Sequence, residues 1–188
     1  EGSSFSYGAS VEEHRPEEAA AMLKELHGLL LDLMDPPAPL VAAVRGQCLG
    51  GALELVLCCS FVVAAPDAKF GQPEIKLGVF APFASALLWS KVGLAHAERL
   101  LLTGRSIDAP TAQAMGLVDE VAADPTARAQ SLVAEQILPL SGSSVRLALR
   151  AARLPLRAAL EENLGRLERL YLDELMATHD GKEGIAAF

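Results

Sequence analysis

Two adjacent glycines, Gly50 and Gly51, constrain this chain most, because they open a helix-forming phrase between two short apolar runs. Leu40 to Val44 carries two valines, follows prolines and gives way to Arg45-Gly46, the pattern of a buried strand that ends in a turn. Ala52-Leu53-Glu54-Leu55-Val56-Leu57-Cys58 then reads as helix, so the glycines fall where the first backbone N–H groups have no carbonyl partners. Such N–H groups attract negative charge, and a residue without Cβ lets an oxygen come close to the backbone. Donors fixed in this way suit an oxyanion that develops during a reaction. Glu54 follows Gly51 by three residues, which places its carboxylate on the same helix face about one turn along. A second apolar run, Phe61 to Ala65, ends at Pro66-Asp67. The chain then returns through Phe70-Gly71-Gln72-Pro73-Glu74, with a second carboxylate in a turn stiffened by Pro73.

The phrases AAVRGQCLGGALEL and AKFGQPEIKLG resemble the two signature stretches of the crotonase superfamily, the enoyl-CoA hydratases and isomerases. RLLLTGRSIDAPTAQAMGLVDEV resembles the stretch that follows them, and together they cover most of Leu40 to Val121 in the family's order. FSYGASVEEH and GQPEIKLGVFAP are most similar to the branch that hydrates a cyclohexadiene thioester in anaerobic aromatic degradation. The resemblance implies an α/β fold: a crotonase-like ββα spiral over residues 1–138, then a C-terminal helical region over 139–188 that serves trimer assembly. It also implies a hydro-lyase that adds water to a conjugated enoyl- or dienoyl-CoA thioester.

In that family the two oxyanion donors are backbone N–H groups, which fall here on Gly51 and on Ala9, after Gly8. Glu54 and Glu74 fall at the positions of the water-activating base and of the acid. The residues alone leave that order open, since a close pair of carboxyls shares its protons. Two departures stand out. Ser10 occupies a place where many hydratases carry aspartate, and Phe80-Ala81-Pro82-Phe83-Ala84 replaces a glycine-rich loop, so that Pro82 offers no N–H. Phe80, Pro82 and Phe83 are candidates for a pocket shaped to a cyclic apolar acyl group; core packing explains the aromatics equally well. The alternative functions are a general enoyl-CoA hydratase or isomerase of fatty-acid oxidation, a catalytically silent crotonase-like subunit, and an RNA-binding protein.

Composition narrows the field. A chain of 188 residues with 51% apolar content fits one domain with a sizeable core. A net charge of −8 disfavours a nucleic-acid surface. Apolar stretches are broken before the ~18 residues that a membrane helix needs, and no signal peptide opens the chain. Cys48, Cys58 and Cys59 lack disulfide or zinc spacing and read as reduced core thiols of a cytoplasmic protein. His14, His27, His96 and His179 are scattered, so no metal is implied, and neither a dinucleotide fingerprint nor a phosphate loop occurs. No cofactor is expected: coenzyme A belongs to the substrate, and the partner is a homotrimer or a dimer of trimers. The chain begins at Glu1 and stops at Phe188 in an apolar phrase, so it reads as a fragment whose missing N-terminal part holds coenzyme A contacts.

The remaining pattern is mostly scaffold. Pro16 to Met34 reads as an amphipathic helix with Met22, Leu26, Leu29, Leu30 and Leu33 on its apolar face and acidic residues in its first turn. Ile75 to Ala86 reads as a loop before a helix at Leu87-Leu88-Trp89, Ala95 to Leu102 as helix, and Leu117 to Val121 as a strand. Asp108 is a plausible N-cap. A long helical remainder is expected to break at Pro139 to Ser144 and again at Pro155. Leu160, Leu164, Leu167, Tyr171 and Leu175 form a stripe that must bury, either between subunits or within one. Arg146, Arg150, Arg153 and Arg157 share a helical line that reads as a solvated face.

Overall fold

In the computed structural model, which describes residues 2–187, helix α1 (Ala19–Met34) leads into a series of strand–strand–helix turns. Strand β1 (Val41–Val44) turns at Arg45-Gly46 into β2 (Gln47–Leu49), which runs directly into α2 (Gly51–Leu57). The unit then repeats as β3 (Phe61–Ala64) and β4 (Lys69–Gly71), a 3-10 turn at Pro73–Leu77, and α3 (Pro82–Val92). Next come α4 (Leu94–Thr103), β5 (Ser106–Asp108), α5 (Ala109–Ala114) and β6 (Glu120–Val121). Helices α6 (Pro125–Leu132), α7 (Gly142–Arg169) and α8 (His179–Ala186) complete the chain. Glu1 and Phe188, the ends read above as those of a fragment, lie outside the described residues.

β1, β3 and β6 form one parallel sheet; β2, β4 and β5 form a second, with β2–β4 parallel and β4–β5 antiparallel. Each β–β corner therefore passes from one sheet to the other, and each helix carries the chain back, which is the expected ββα spiral. The turn before β2 is also present. Phe5 N–H donates to Arg45 O (2.8 Å), Ser6 N–H to Gln47 O (3.0 Å) and Leu49 N–H to Ser6 O (3.1 Å), so the N-terminal segment runs parallel along the free edge of β2. Three successive turns of the spiral thus lie side by side, and their ends meet at one place. The core between the sheets and helices is apolar: Phe70, Phe83, Leu53 and Leu88 are fully buried, each stabilising the fold by about 1.5–3 kcal/mol. Cys48, Cys58 and Cys59 are free and buried within this core.

Several elements differ from the sequence reading for identifiable reasons. α1 starts at Ala19, since Pro16-Glu17-Glu18 are spent on the preceding turn, and it has no acidic residue in its first turn. Its buried face is rotated onto Met22, Leu23, His27, Leu30 and Met34, leaving Leu29 52% exposed. His27 can occupy a core position because it has a carboxylate partner there, which a pattern of apolar letters does not register. α3 begins at Pro82, where a missing N–H removes no helical bond. Leu117 and Val118 do not join a strand: both N–H groups return to Ala112 O and close the end of α5.

The largest difference is α7, which runs unbroken through Pro155. Pro155 is exposed, and the adjacent turn is anchored by Arg153, only 7% exposed. Its guanidinium donates to Leu33 O (3.0 Å), Cys58 O (2.6 Å) and Ser60 Oγ (3.3 Å). Two of those acceptors are carbonyls at the C-terminal ends of α1 and α2, where a cation offsets the helix dipoles. The arginine line is thus not uniformly solvated: Arg153 is a buried tie, Arg157 pairs with Asp35 at 3.0 Å, and Arg146 and Arg150 face outward. The leucine stripe also turns inward. Leu160 and Leu164 complete the main core, and Tyr171 packs with Met22, Leu23 and Val79 of the same chain. Exposed apolar surface in residues 139–188 is carried instead by Leu140, Leu147, Leu154 and Leu170.

Candidate active site

The spiral sets the ends of its three adjacent turns next to one another: Tyr7-Gly8-Ala9, Leu49-Gly50-Gly51 and Gly71-Gln72-Pro73-Glu74. Gly50 N–H donates to Gly71 O at 3.0 Å, which locks the second to the third. The backbone at Gly8 and Gly50 takes positive φ, +92° and +58°. A Cβ on Gly8 would lie 2.8 Å from Gly51 N, and one on Gly50 would lie 2.6 Å from Glu74 Oε1. Both positions therefore require glycine, for conformation and for space. The reward is proximity, with Gly51's absent Cβ only 3.5 Å from Ala9 N. Among the described residues neither the Ala9 nor the Gly51 N–H donates to a protein acceptor. The two expected backbone donors are brought together and left available.

Both glutamates face the same place. Glu54, 3% exposed, and Glu74, 9% exposed, line a cavity of about 70 Å³ that also includes Ala9, Gly51, Phe80 and Pro82. Glu54 Oε1 accepts from Ala84 N–H at 2.8 Å, so the N-terminal turn of α3 holds this carboxyl. Burial pushes the Glu54 carboxyl up to about 8, the charge of Glu74 adds to the rise, and the Ala84 and Phe83 N–H groups oppose it. Burial likewise lifts Glu74 to about 7, opposed by a bond from its own backbone N–H. Two carboxyls that both titrate near neutrality can present one proton donor and one proton acceptor at once.

Of the three residues proposed for the acyl pocket, Phe80 and Pro82 line the cavity and Phe83 does not. It is fully buried in the main core because α3 turns its ring inward. Its contribution is made through its N–H to Glu54 and through its ring, 6.1 Å from that of His27. His27 and Tyr171, which no motif in the sequence singles out as site residues, also stand on the cavity wall. Tyr171 packs edge-on against Phe80 at 5.5 Å, and burial, reinforced by the charge of Glu74, raises its phenol above the usual range. A helical line through Glu168 and Tyr171, three residues apart, was the available signal, since both side chains then point to one side. His179, Asp180 and Glu183 also cluster, but all are exposed at the start of α8, and the 3.2 Å contact of His179 with Glu183 is an ordinary i,i+4 pair.

The same arrangement of fold is found in known proteins. The Enoyl-CoA hydratase/isomerase family profile matches residues 1–188. The chain belongs to this family. It is 54% identical over 188 residues to cyclohexa-1,5-dienecarbonyl-CoA hydratase of Thauera aromatica, covering 100% of this chain and 73% of that protein. It is 38% identical over 194 residues to 2,3-dehydroadipyl-CoA hydratase of Escherichia coli K12, covering 98% and 73% of the two chains. Among solved structures, an enoyl-CoA hydratase/isomerase from Mycobacterium paratuberculosis superposes with a TM-score of 0.89 at 26% identity, over 100% of this chain and 77% of that one. Membership in the enoyl-CoA hydratase/isomerase family accords with the spiral and the paired backbone donors. Among the described residues no helix is long and apolar enough to cross a membrane.

Proposed function

We propose that this chain is a hydro-lyase that adds water across the conjugated double bond of an acyl-CoA thioester, with cyclohexa-1,5-diene-1-carbonyl-CoA as substrate. The observation that carries the reading is the meeting of Glu54, Glu74 and the Ala9 and Gly51 N–H groups at one small cavity. As water oxygen bonds to carbon, charge moves onto the thioester oxygen, and the two N–H groups stabilise it there. One glutamate of the pair takes a proton from the water and the other delivers one to carbon, so the addition is balanced without any change of oxidation state. The chemistry requires no cofactor, coenzyme A being part of the substrate. The 54% identity to a cyclohexadiene thioester hydratase, together with Phe80 and Pro82 on the wall, favours the cyclic acyl group over a straight one. The place of action is the cytoplasm, in keeping with three free thiols. The assembly is a homotrimer or a dimer of trimers, in which exposed Leu147 and Leu154 of α7 find partners.

Offering the protein crotonyl-CoA and cyclohexa-1,5-diene-1-carbonyl-CoA separately, with the hydrated product followed by mass, tests the reading. A preference for the cyclic diene is expected. Preference for crotonyl-CoA would leave a general hydratase, and turnover of neither would remove the enzymatic reading. Native mass spectrometry reads the assembly directly, with mass at three or six chains expected.

A further inference from the structure

The cavity wall carries a second polar group that the chemistry above leaves unused. His27 is 2% exposed, and its Nδ1 lies 2.6 Å from Glu168 Oε1. When that carboxylate accepts the Nδ1 hydrogen, Nε2 of the neutral ring is left as an acceptor. Nε2 is buried and has no partner among the described residues, and the same holds for the hydroxyl of Tyr171, 1% exposed. Both residues line the cavity that contains Glu54 and Glu74. Buried polar atoms are nearly always hydrogen-bonded, and a hydrocarbon acyl chain cannot satisfy an imidazole acceptor and a phenol donor. An oxygen that both donates and accepts can.

We propose that His27 Nε2 and the Tyr171 hydroxyl form a hydroxyl-binding pair for the oxygen that hydration adds to the acyl group, with Glu168 as the positioning residue. The proposal rests on the hydratase reading above. During addition the water oxygen bonds to carbon, one of its protons passes to the glutamate base, and the acidic glutamate supplies a proton to the neighbouring carbon. The proton that stays on the oxygen donates to His27 Nε2, while Tyr171 donates to a lone pair. Water and product alcohol then occupy one seat, which fixes the carbon and the face at which the C–O bond forms. Glu168 holds the ring so that Nε2 remains the acceptor. The ligand class is a β-hydroxyacyl thioester, bound in preference to the same thioester without its hydroxyl.

The test compares binding of 2-hydroxycyclohexane-1-carbonyl-CoA and cyclohexane-1-carbonyl-CoA by calorimetry. It is done on the full chain carrying Glu54→Gln, so that the alcohol is not eliminated. Two hydrogen bonds predict a preference for the alcohol of roughly 30-fold. Adding Tyr171→Phe or His27→Phe should cut that preference to about 5-fold, with affinity for the unhydroxylated thioester within about twofold. Glu168→Gln should lower the preference in the same direction, because the amide can turn either end toward Nδ1. Tyr171→Phe removes only a hydroxyl and keeps the test valid if His27→Phe does not fold. Equal affinity for the two thioesters, or a preference unmoved by Tyr171→Phe, would overturn the proposal. Failure of the chain to bind either thioester would overturn the hydratase reading itself, so the two failures are distinguishable.

Discussion

Glu54→Gln should remove activity and at the same time stabilise the protein at alkaline pH. The carboxyl titrates at about 8 in the fold against an ordinary value of 4.5, mainly because it is buried. Between those values the unfolded chain has released its proton while the folded chain still holds one. Stability is therefore fully present below pH 4.5 and is lost as pH rises toward 8. At about 1.4 kcal/mol per pH unit the ionised form costs the fold on the order of 5 kcal/mol in total, and about 3 kcal/mol of that falls between pH 5 and pH 8. Glutamine keeps an oxygen for the Ala84 N–H and carries no charge to desolvate. Thermal unfolding at pH 5 and pH 8 reads the difference. The variant should gain roughly 5–10 °C on the wild type at pH 8 and about 2 °C or less at pH 5. Parallel pH dependence of the two proteins would refute the reasoning, since it would mean that Glu54 ionises in the fold as easily as in water.

Two further predictions follow from the same geometry. The rate should rise and then fall with pH around the neutral range, because the pair works only when one carboxyl is protonated and the other is not; Glu74→Gln should abolish the bell, and an unchanged profile in that variant would exclude coupling. Gly50→Ala places a methyl 2.6 Å from Glu74 Oε1 and strains a positive-φ backbone, so turnover should fall about 100-fold or more while circular dichroism stays near wild type; full activity would contradict the close packing of the site.

Much of this site was legible in the sequence because its parts are backbone and motif. Gly50-Gly51, Glu54 and Pro73-Glu74 sit at strand and helix ends, and such positions are set by local turn chemistry, which neighbouring letters encode. The same locality made β1, α2, β3 and the Asp108 cap readable, and Asp108 does accept from Thr111 N–H at 3.0 Å. What could not be read depends on residues far apart in the chain. Arg153 looked like one of four solvated arginines until the ends of α1 and α2 arrived beside it. His27 became a core residue only through Glu168, 141 positions away. Phe83 illustrates a one-residue limit: Phe80 and Phe83 share a loop phrase, but starting α3 at Pro82 sends one ring to the cavity and the other to the core.

The most direct measurement of the central claim is the single-turnover hydration of cyclohexa-1,5-diene-1-carbonyl-CoA by wild type, Glu54→Gln and Glu74→Gln, each shown folded by circular dichroism. Loss of roughly 100- to 10,000-fold in both variants is the predicted result, because each removes a proton-transfer group. Activity in either variant close to that of the wild type would contradict the assignment of the water to the space between the two glutamates.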